Sequence, residues 1–244
     1  MNNQPSVPHK ALIAAILPTF NEETNVGDVL QVLLATQILD EIVLVDDGST
    51  DQTFEILSQA AAHDPRVRLV QHDRNKGKGE AIFSGCAATT APYLLLLDAD
   101  LKNLTPGHLC ALMAPILEHR ADMTLGLFVG GHLSTDLSHW LAPFLTGQRG
   151  LRADLLRFIS REAAAGYGFE VALTVAARQQ GYRKRVVPLK GIWHPNSELR
   201  PERGFWKGAA WKLRMYGQIL RAWTIATRAR HTDTKAFFSD IQKL

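Results

Sequence analysis

At 244 residues, 46% of them hydrophobic, the chain is long enough to bury a full core, and one α/β domain with a C-terminal extension is the expected organisation. Charged residues make up 21%, which excludes wholesale disorder, and a net charge of +3 is too small to argue for nucleic-acid binding. Two cysteines, Cys86 and Cys110, with no CxxC spacing between them, exclude a disulfide scaffold and read as free thiols in helices.

Residues 1–10 are polar and read as a flexible arm, with no apolar core of signal-peptide type. ALIAAILP is the first buried strand, ending at Pro18. A helix follows over about 24–36, with Thr24 or Asn25 as its cap. EIVLVDD, from Glu41, is the second strand. Ser49 and Thr50 lead into a helix that runs to about Ala62 and is stopped by Asp64-Pro65. RVRLVQH, Arg66 to His72, is the third strand, and the turn DRNKGKG opens a helix over about 79–90. YLLLLDA, from Tyr93, is the fourth strand. Thr105-Pro106 begins the next helix, since proline suits the first helical turn. DMTLGLFV is the fifth strand. Beyond Val129 the order is less regular: GGHLSTDLSHW reads as a mobile loop, GFEVALTVAARQQ as a helix, YRKRVVPL as a strand and about Gly204 to Arg230 as a final helix. No run of about 18 apolar residues exists, so no membrane-spanning helix is expected and the protein reads as cytoplasmic.

Strands alternate with helices, and the apolar runs are continuous instead of alternating with polar residues. That pattern predicts a mostly parallel open sheet with helices on both faces, an α/β Rossmann-like architecture. Ligands of such sheets gather outside the carboxyl ends of the strands. Four segments fall at that edge: PTFNEE (Pro18 to Glu23), DDGSTD (Asp46 to Asp51), NKGKGEA (Asn75 to Ala81) and the DAD of Asp98 and Asp100. Asp98 and Asp100 repel each other unless something cationic sits between them, and hard oxygen ligands suit Mg²⁺ or Mn²⁺. Gly77 and Gly79 let backbone approach a phosphate, and Lys78 adds a positive charge at the same helix start. Asp47 offers an acceptor to the N–H of a uracil or guanine ring, and Glu22 or Asp51 to base or ribose hydroxyls. A metal-held diphosphate is a stabilised leaving group.

These motifs, in this order, resemble those of family 2 glycosyltransferases, which have the A-type nucleotide-sugar fold. LPTFNEE is similar to that family's PxYNEE segment, with Phe20 in place of the usual tyrosine. VLVDDGSTDQT, RNKGKGEAI and LLLLDAD match its nucleotide segment, its glycine-lysine turn and its DxD metal motif. The likeness extends over roughly residues 10–190 and includes dolichyl-phosphate mannose synthases and glucosyl-phosphoglycerate synthases. It implies that Pro18, Glu22, Asp47, Lys78 and Asp98 contact the nucleotide and its phosphates, and that Asp98 and Asp100 lie at the metal, with Asp100 the more direct ligand. TGQRGLR, Thr146 to Arg152, is similar to an acceptor-side loop, where Arg149 or Arg152 would bind a phosphate or carboxylate. GYGFE resembles a segment that places an acid near the acceptor, so Glu170 is a candidate general base. His194, in IWHPN, stands where related transferases that make glucosyl- or mannosyl-glycerate phosphates complete the metal shell.

The resulting expectation is a catalytic domain over 11–200 that moves a sugar from a UDP- or GDP-sugar to a polyprenyl phosphate or a small phospho-acid, with a catalytically inert nucleotide-sugar binding module as the alternative. Residues 201–244 form a basic extension: no acid occurs between Glu202 and Asp233, and Lys207, Arg214, Arg221 and Arg228 recur every seven residues on one helix face. Phe205, Leu213, Leu220 and Trp223 fall on another face. Such a helix either packs on the domain or meets an anionic membrane at its inner face. A homodimer is compatible with the sequence.

Overall fold

A computed structural model describes residues 12–130, 146–165 and 168–195, together with 217, 221, 224 and 225. The N-terminal arm, the loop expected after Gly130 and nearly all of the C-terminal helix lie outside the described residues. The described core runs β1 (Ile13–Thr19), α1 (Val26–Ala35), β2 (Glu41–Asp46), α2 (Thr53–His63), β3 (Val67–Gln71), α3 (Lys78–Ala87), β4 (Tyr93–Leu96), α4 (Pro106–Leu117), β5 (Met123–Val129), β6 (Arg149–Arg152), α5 (Phe169–Gln179) and β7 (Lys184–Lys190). A short 3-10 helix, Ala153–Phe158, follows β6.

The seven strands make one sheet in the order β3-β2-β1-β4-β6-β5-β7. β1 pairs in parallel with β2 and with β4, and β5 with β7, whereas β6 runs antiparallel to β4 and to β5. The strand pleat sends alternate residues to opposite faces, and both faces are covered. Ile13, Ala15 and Leu17 of β1 pack with Val29, Leu33, Leu57, Leu112 and Ile116 from α1, α2 and α4. Ala14 and Ile16 pack with Ile82, Phe169, Leu173 and Ala176 from α3 and α5. At about 1.5–3 kcal/mol for each large apolar side chain removed from water, these two layers are the main source of stability. Among the described residues no helix is long and apolar enough to cross a membrane. Of the basic C-terminal segment, Gly217, Arg221, Thr224 and Ile225 are helical. Arg221 is exposed and Ile225 packs against the α3–α5 layer.

The segment TGQRGLR, expected as an acceptor-side loop, ends in a strand, β6. The four residues RGLR fill the slot between β4 and β5, with Leu96 opposite Arg149 and Tyr93 opposite Arg152. Because β6 runs against its neighbours, its beginning lies at the carboxyl edge of β4 and its end at the opposite rim.

One ion pair ties the β1–β3 half together. Arg66 donates to the carbonyls of Leu34, Thr36 and Leu39 at 2.6, 3.2 and 3.3 Å, around the end of α1. Asp64 accepts from the same guanidinium at 2.7 Å. Those bonds hold the Asp64 carboxyl below its ordinary range. Arg66→Leu is expected to destabilise the protein by about 1–3 kcal/mol at neutral pH, since three carbonyls lose a charged donor. The Asp64 contribution is complete above the ordinary carboxyl pKa of about 3.9 and is lost as the pH falls through its lowered folded value. The gap between variant and native protein therefore narrows in acid, which urea unfolding over a pH series measures.

Candidate active site

The strand order reverses between β1 and β4, because β2 and β3 lie to one side of β1 and β4 to the other. A crevice opens at such a point, outside the carboxyl ends. Five segments converge there, after β1, β2, β3, β4 and β7, and the beginning of β6 joins them.

The two segments after β1 and β2 are stitched to each other. Pro18 sits in β1 opposite Val45, where a missing N–H costs nothing because β4 has already ended its pairing with β1 at Ile16. Asn21 N–H donates to Ser49 Oγ at 3.0 Å, Glu22 N–H to Thr53 Oγ1 at 2.8 Å, and Thr50 N–H to Asn21 Oδ1 at 2.8 Å. Glu22 accepts from Asn25 Nδ2 at 2.9 Å, and Asp51 accepts from Thr53 N–H at 3.0 Å. Burial works against the Asp51 charge, but the Thr53 bonds outweigh it and lower its pKa. Asp47 is buried, and its carboxylate faces the next turn, accepting from the N–H groups of Lys76 and Gly77 at 2.9 and 2.8 Å.

The phosphate-and-metal side is a chain of charges. Lys78, the first residue of α3, places Nζ 2.6 Å from Asp98 Oδ1 and 2.7 Å from Glu170 Oε1. Burial disfavours the ammonium, yet Asp98 first and Glu170 next outweigh that cost and raise its pKa. Asp98 shows the mirror effect: burial favours the neutral acid, but Lys78, then His194, hold it ionised below the ordinary range. Gln148 donates to Asp98 Oδ2 at 2.8 Å, with its own oxygen fixed by the Thr146 hydroxyl at 2.8 Å. A Cβ on Gly147 would lie 2.4 and 2.6 Å from the two Asp98 oxygens, so only glycine lets this backbone pass over the carboxylate.

His194 reaches the same place from β7. An isolated bridge between Lys102 and Trp193 and a bond of 3.1 Å from Asn103 Nδ2 to the Gly191 carbonyl join the segment after DAD to the segment after β7. The imidazole packs on Phe128 with ring centres 5.1 Å apart and meets Asp100 Oδ1 at 2.8 Å through Nδ1. Burial lowers its pKa, but the Asp100 bond and charge reverse the sign. Asp98, Asp100 and His194 each offer one ligand atom, all within 4.8 Å of one another. Two carboxylates and one imidazole, beside an ammonium, fit a hard divalent cation such as Mn²⁺ or Mg²⁺.

Both candidate acceptor arginines belong to β6. Arg149 is fully buried in β6, donating from Nε to the Thr146 carbonyl at 2.9 Å and from Nη1 to Thr174 Oγ1 at 3.0 Å. Burial pushes its pKa down to about 10, with Glu170 and Asp98 opposing that shift. With no exposed surface it does not present a fork to an acceptor in this structure. Arg152 lies at the far rim, paired with Asp154 at 2.6 Å. Two residues not singled out from the sequence also enter the site: Gln148, and His72, a buried ring behind Asp47.

The sequence pattern of glycosyl transferase family 2 matches residues 14–186. The chain belongs to this family. Among curated family 2 relatives, glucosyl-3-phosphoglycerate synthase of Mycobacterium tuberculosis is 29% identical over 195 residues, covering 67% of this chain and 60% of the relative. A dolichyl-phosphate beta-glucosyltransferase of Trichomonas vaginalis is 30% identical over 102 residues, covering 38% of this chain and 30% of the relative. The chain thus spans under two thirds of either relative's length. The fold matches the crystal structure of the M. tuberculosis synthase in complex with Mn²⁺, uridine diphosphate and phosphoglyceric acid, with a TM-score of 0.70, 23% identity, and 92% and 80% of the two chains covered. The family 2 assignment and this match agree with the mostly parallel sheet described above.

Proposed function

We propose that the protein transfers a hexosyl group from a UDP- or GDP-sugar to a phosphate-bearing acceptor. The observation that carries this reading is the meeting of Asp98, Asp100 and His194 with Lys78 at one point of the crevice. Asp98, Asp100 and His194 would hold Mn²⁺ or Mg²⁺, which supplies Lewis-acid stabilisation to a diphosphate leaving group. In the transfer, the bond between the anomeric carbon and the β-phosphate oxygen breaks, and its electron pair leaves with the diphosphate. A new bond forms to an acceptor oxygen. Lys78 contributes a fixed charge where negative charge develops on the leaving group. Pro18, Glu22 and the DDGSTD turn frame the nucleotide end of the crevice. Glu170, paired with Lys78 at 2.7 Å, is the carboxylate that would take an acceptor hydroxyl proton, and an acceptor that is itself a phosphate needs no such base. Arg149, buried in β6, acts through position and charge.

A cytoplasmic setting suits soluble donors, with peripheral contact at the inner face of the membrane if the acceptor is a lipid. The test is release of nucleoside diphosphate from UDP-glucose or GDP-mannose with Mn²⁺, in one arm with 3-phosphoglycerate and in another with a short polyprenyl phosphate. Release that requires one of the acceptors supports the reading and names the acceptor class. Metal-dependent nucleotide binding without release in any arm would identify an inert binding module and overturn transfer.

A further inference from the structure

We propose that His72 and Asp47 form a buried clamp that shapes the phosphate-facing turn, making His72 a positioning residue for that turn. The functional consequence rests on the transfer reading above, whereas the clamp itself rests only on geometry. His72 follows β3 and extends the β2–β3 pairing through a bond of 2.9 Å from its N–H to the Asp46 carbonyl. Its ring then turns inward, with Nδ1 2.6 Å from Asp47 Oδ1 and Nε2 2.8 Å from Ser84 Oγ on α3. The side chains of His72 and Asp47 are 5% and 4% exposed, so neither is positioned for solvent. A carboxylate only accepts, so Nδ1 must carry the proton in this contact, and the Ser84 hydroxyl adapts to Nε2.

Asp47 thus receives three donors: the imidazole and Lys76 N–H on Oδ1, and Gly77 N–H on Oδ2. That uses most of the roughly four lone-pair directions of a carboxylate. The two backbone donors belong to the residues immediately before Lys78. The two turns also touch through backbone, since a Cβ on Gly48 would fall 2.5 Å from the Arg74 carbonyl carbon. The clamp therefore sets where Lys78 begins α3 and how its ammonium reaches Asp98 and Glu170.

The test compares His72→Ala, His72→Asn and Ser84→Ala with the native protein by two measurements. Hydrogen exchange over residues 74–78 reads the turn directly, and calorimetry reads UDP and GDP binding with Mn²⁺. His72→Ala is expected to speed exchange of the turn amides and weaken diphosphate binding, each by about tenfold. His72→Asn, whose amide can still donate to Asp47, is expected to recover most of both. Ser84→Ala removes only the outer partner and carries the exchange test should His72→Ala not fold. Unchanged turn exchange in the folded variants overturns the clamp, whatever the nucleotide result. Absence of nucleotide binding in the native protein counts against the transfer reading alone, because the exchange result still decides the clamp.

Discussion

Asp98→Asn is expected to lower kcat/KM for metal-dependent diphosphate release by about a thousandfold, roughly 4 kcal/mol of transition-state stabilisation. Asp98 does three things at once. It pairs with Lys78 at 2.6 Å, accepts from Gln148 at 2.8 Å, and supplies one of the three donors of the cation cluster. Asparagine preserves the volume and an acceptor for Gln148, and Lys78 keeps Glu170 as a partner. Folding stability should therefore change by no more than about 1–2 kcal/mol. The separation of a large kinetic effect from a small thermal one is the signature to look for. Gly147→Ala is the companion variant: its added carbon would sit 2.4 Å from Asp98 Oδ2 and must push the carboxylate aside. It should lower turnover in the same direction while leaving every charged group in the sequence. Turnover within threefold of native in both variants would count against Asp98 as a ligand.

Lys78→Met is expected to reduce turnover by about a hundredfold to a thousandfold, the usual cost of removing a fixed charge aimed at a developing anion. It also leaves Asp98 and Glu170 facing each other without the cation they share. Their side chains are 20% and 8% exposed, while that of Lys78 is 33% exposed. Solvent therefore screens part of the loss, and the stability cost should be about 1–3 kcal/mol, below that of a fully buried pair. Mn²⁺ discriminates this account from simple loss of packing. A dication bound beside two unneutralised carboxylates replaces the missing ammonium, so Mn²⁺ should raise the melting temperature of Lys78→Met more than that of the native protein. Equal shifts in the two proteins would show that Lys78 and the metal do not share Asp98.

The parallel half of the fold is legible because its strands are buried on both faces. IAAILPT, EIVLVD and YLLL are continuous apolar runs, each followed at the carboxyl edge by a polar or acidic segment. Their motifs sit together for a topological reason: parallel strands put all their carboxyl ends on one rim. His194 was within reach of the same logic, since it follows the last strand. β6 was not. RGLR has no apolar run and no alternation, and it is a strand only because β4 and β5 leave a gap of its width. Its reversed direction puts Gln148 at Asp98 and buries Arg149, consequences that no local pattern encodes. The partners of Asp47 escaped for a related reason. DDGSTD announces an acidic turn at a nucleotide edge, but the partners of its second carboxylate come from a turn roughly thirty residues away.

Local chemistry along the chain was sufficient for the alternation of strands and helices and for the acidic and glycine-lysine segments, because each is written in residues adjacent in sequence. Which donors hold Asp47, which glycine passes over Asp98 and which arginine is buried in β6 were decided by the packed sheet. Hydrogen-bond partners and burial depend on distances between segments far apart in the chain, and those distances exist only once the strands have paired.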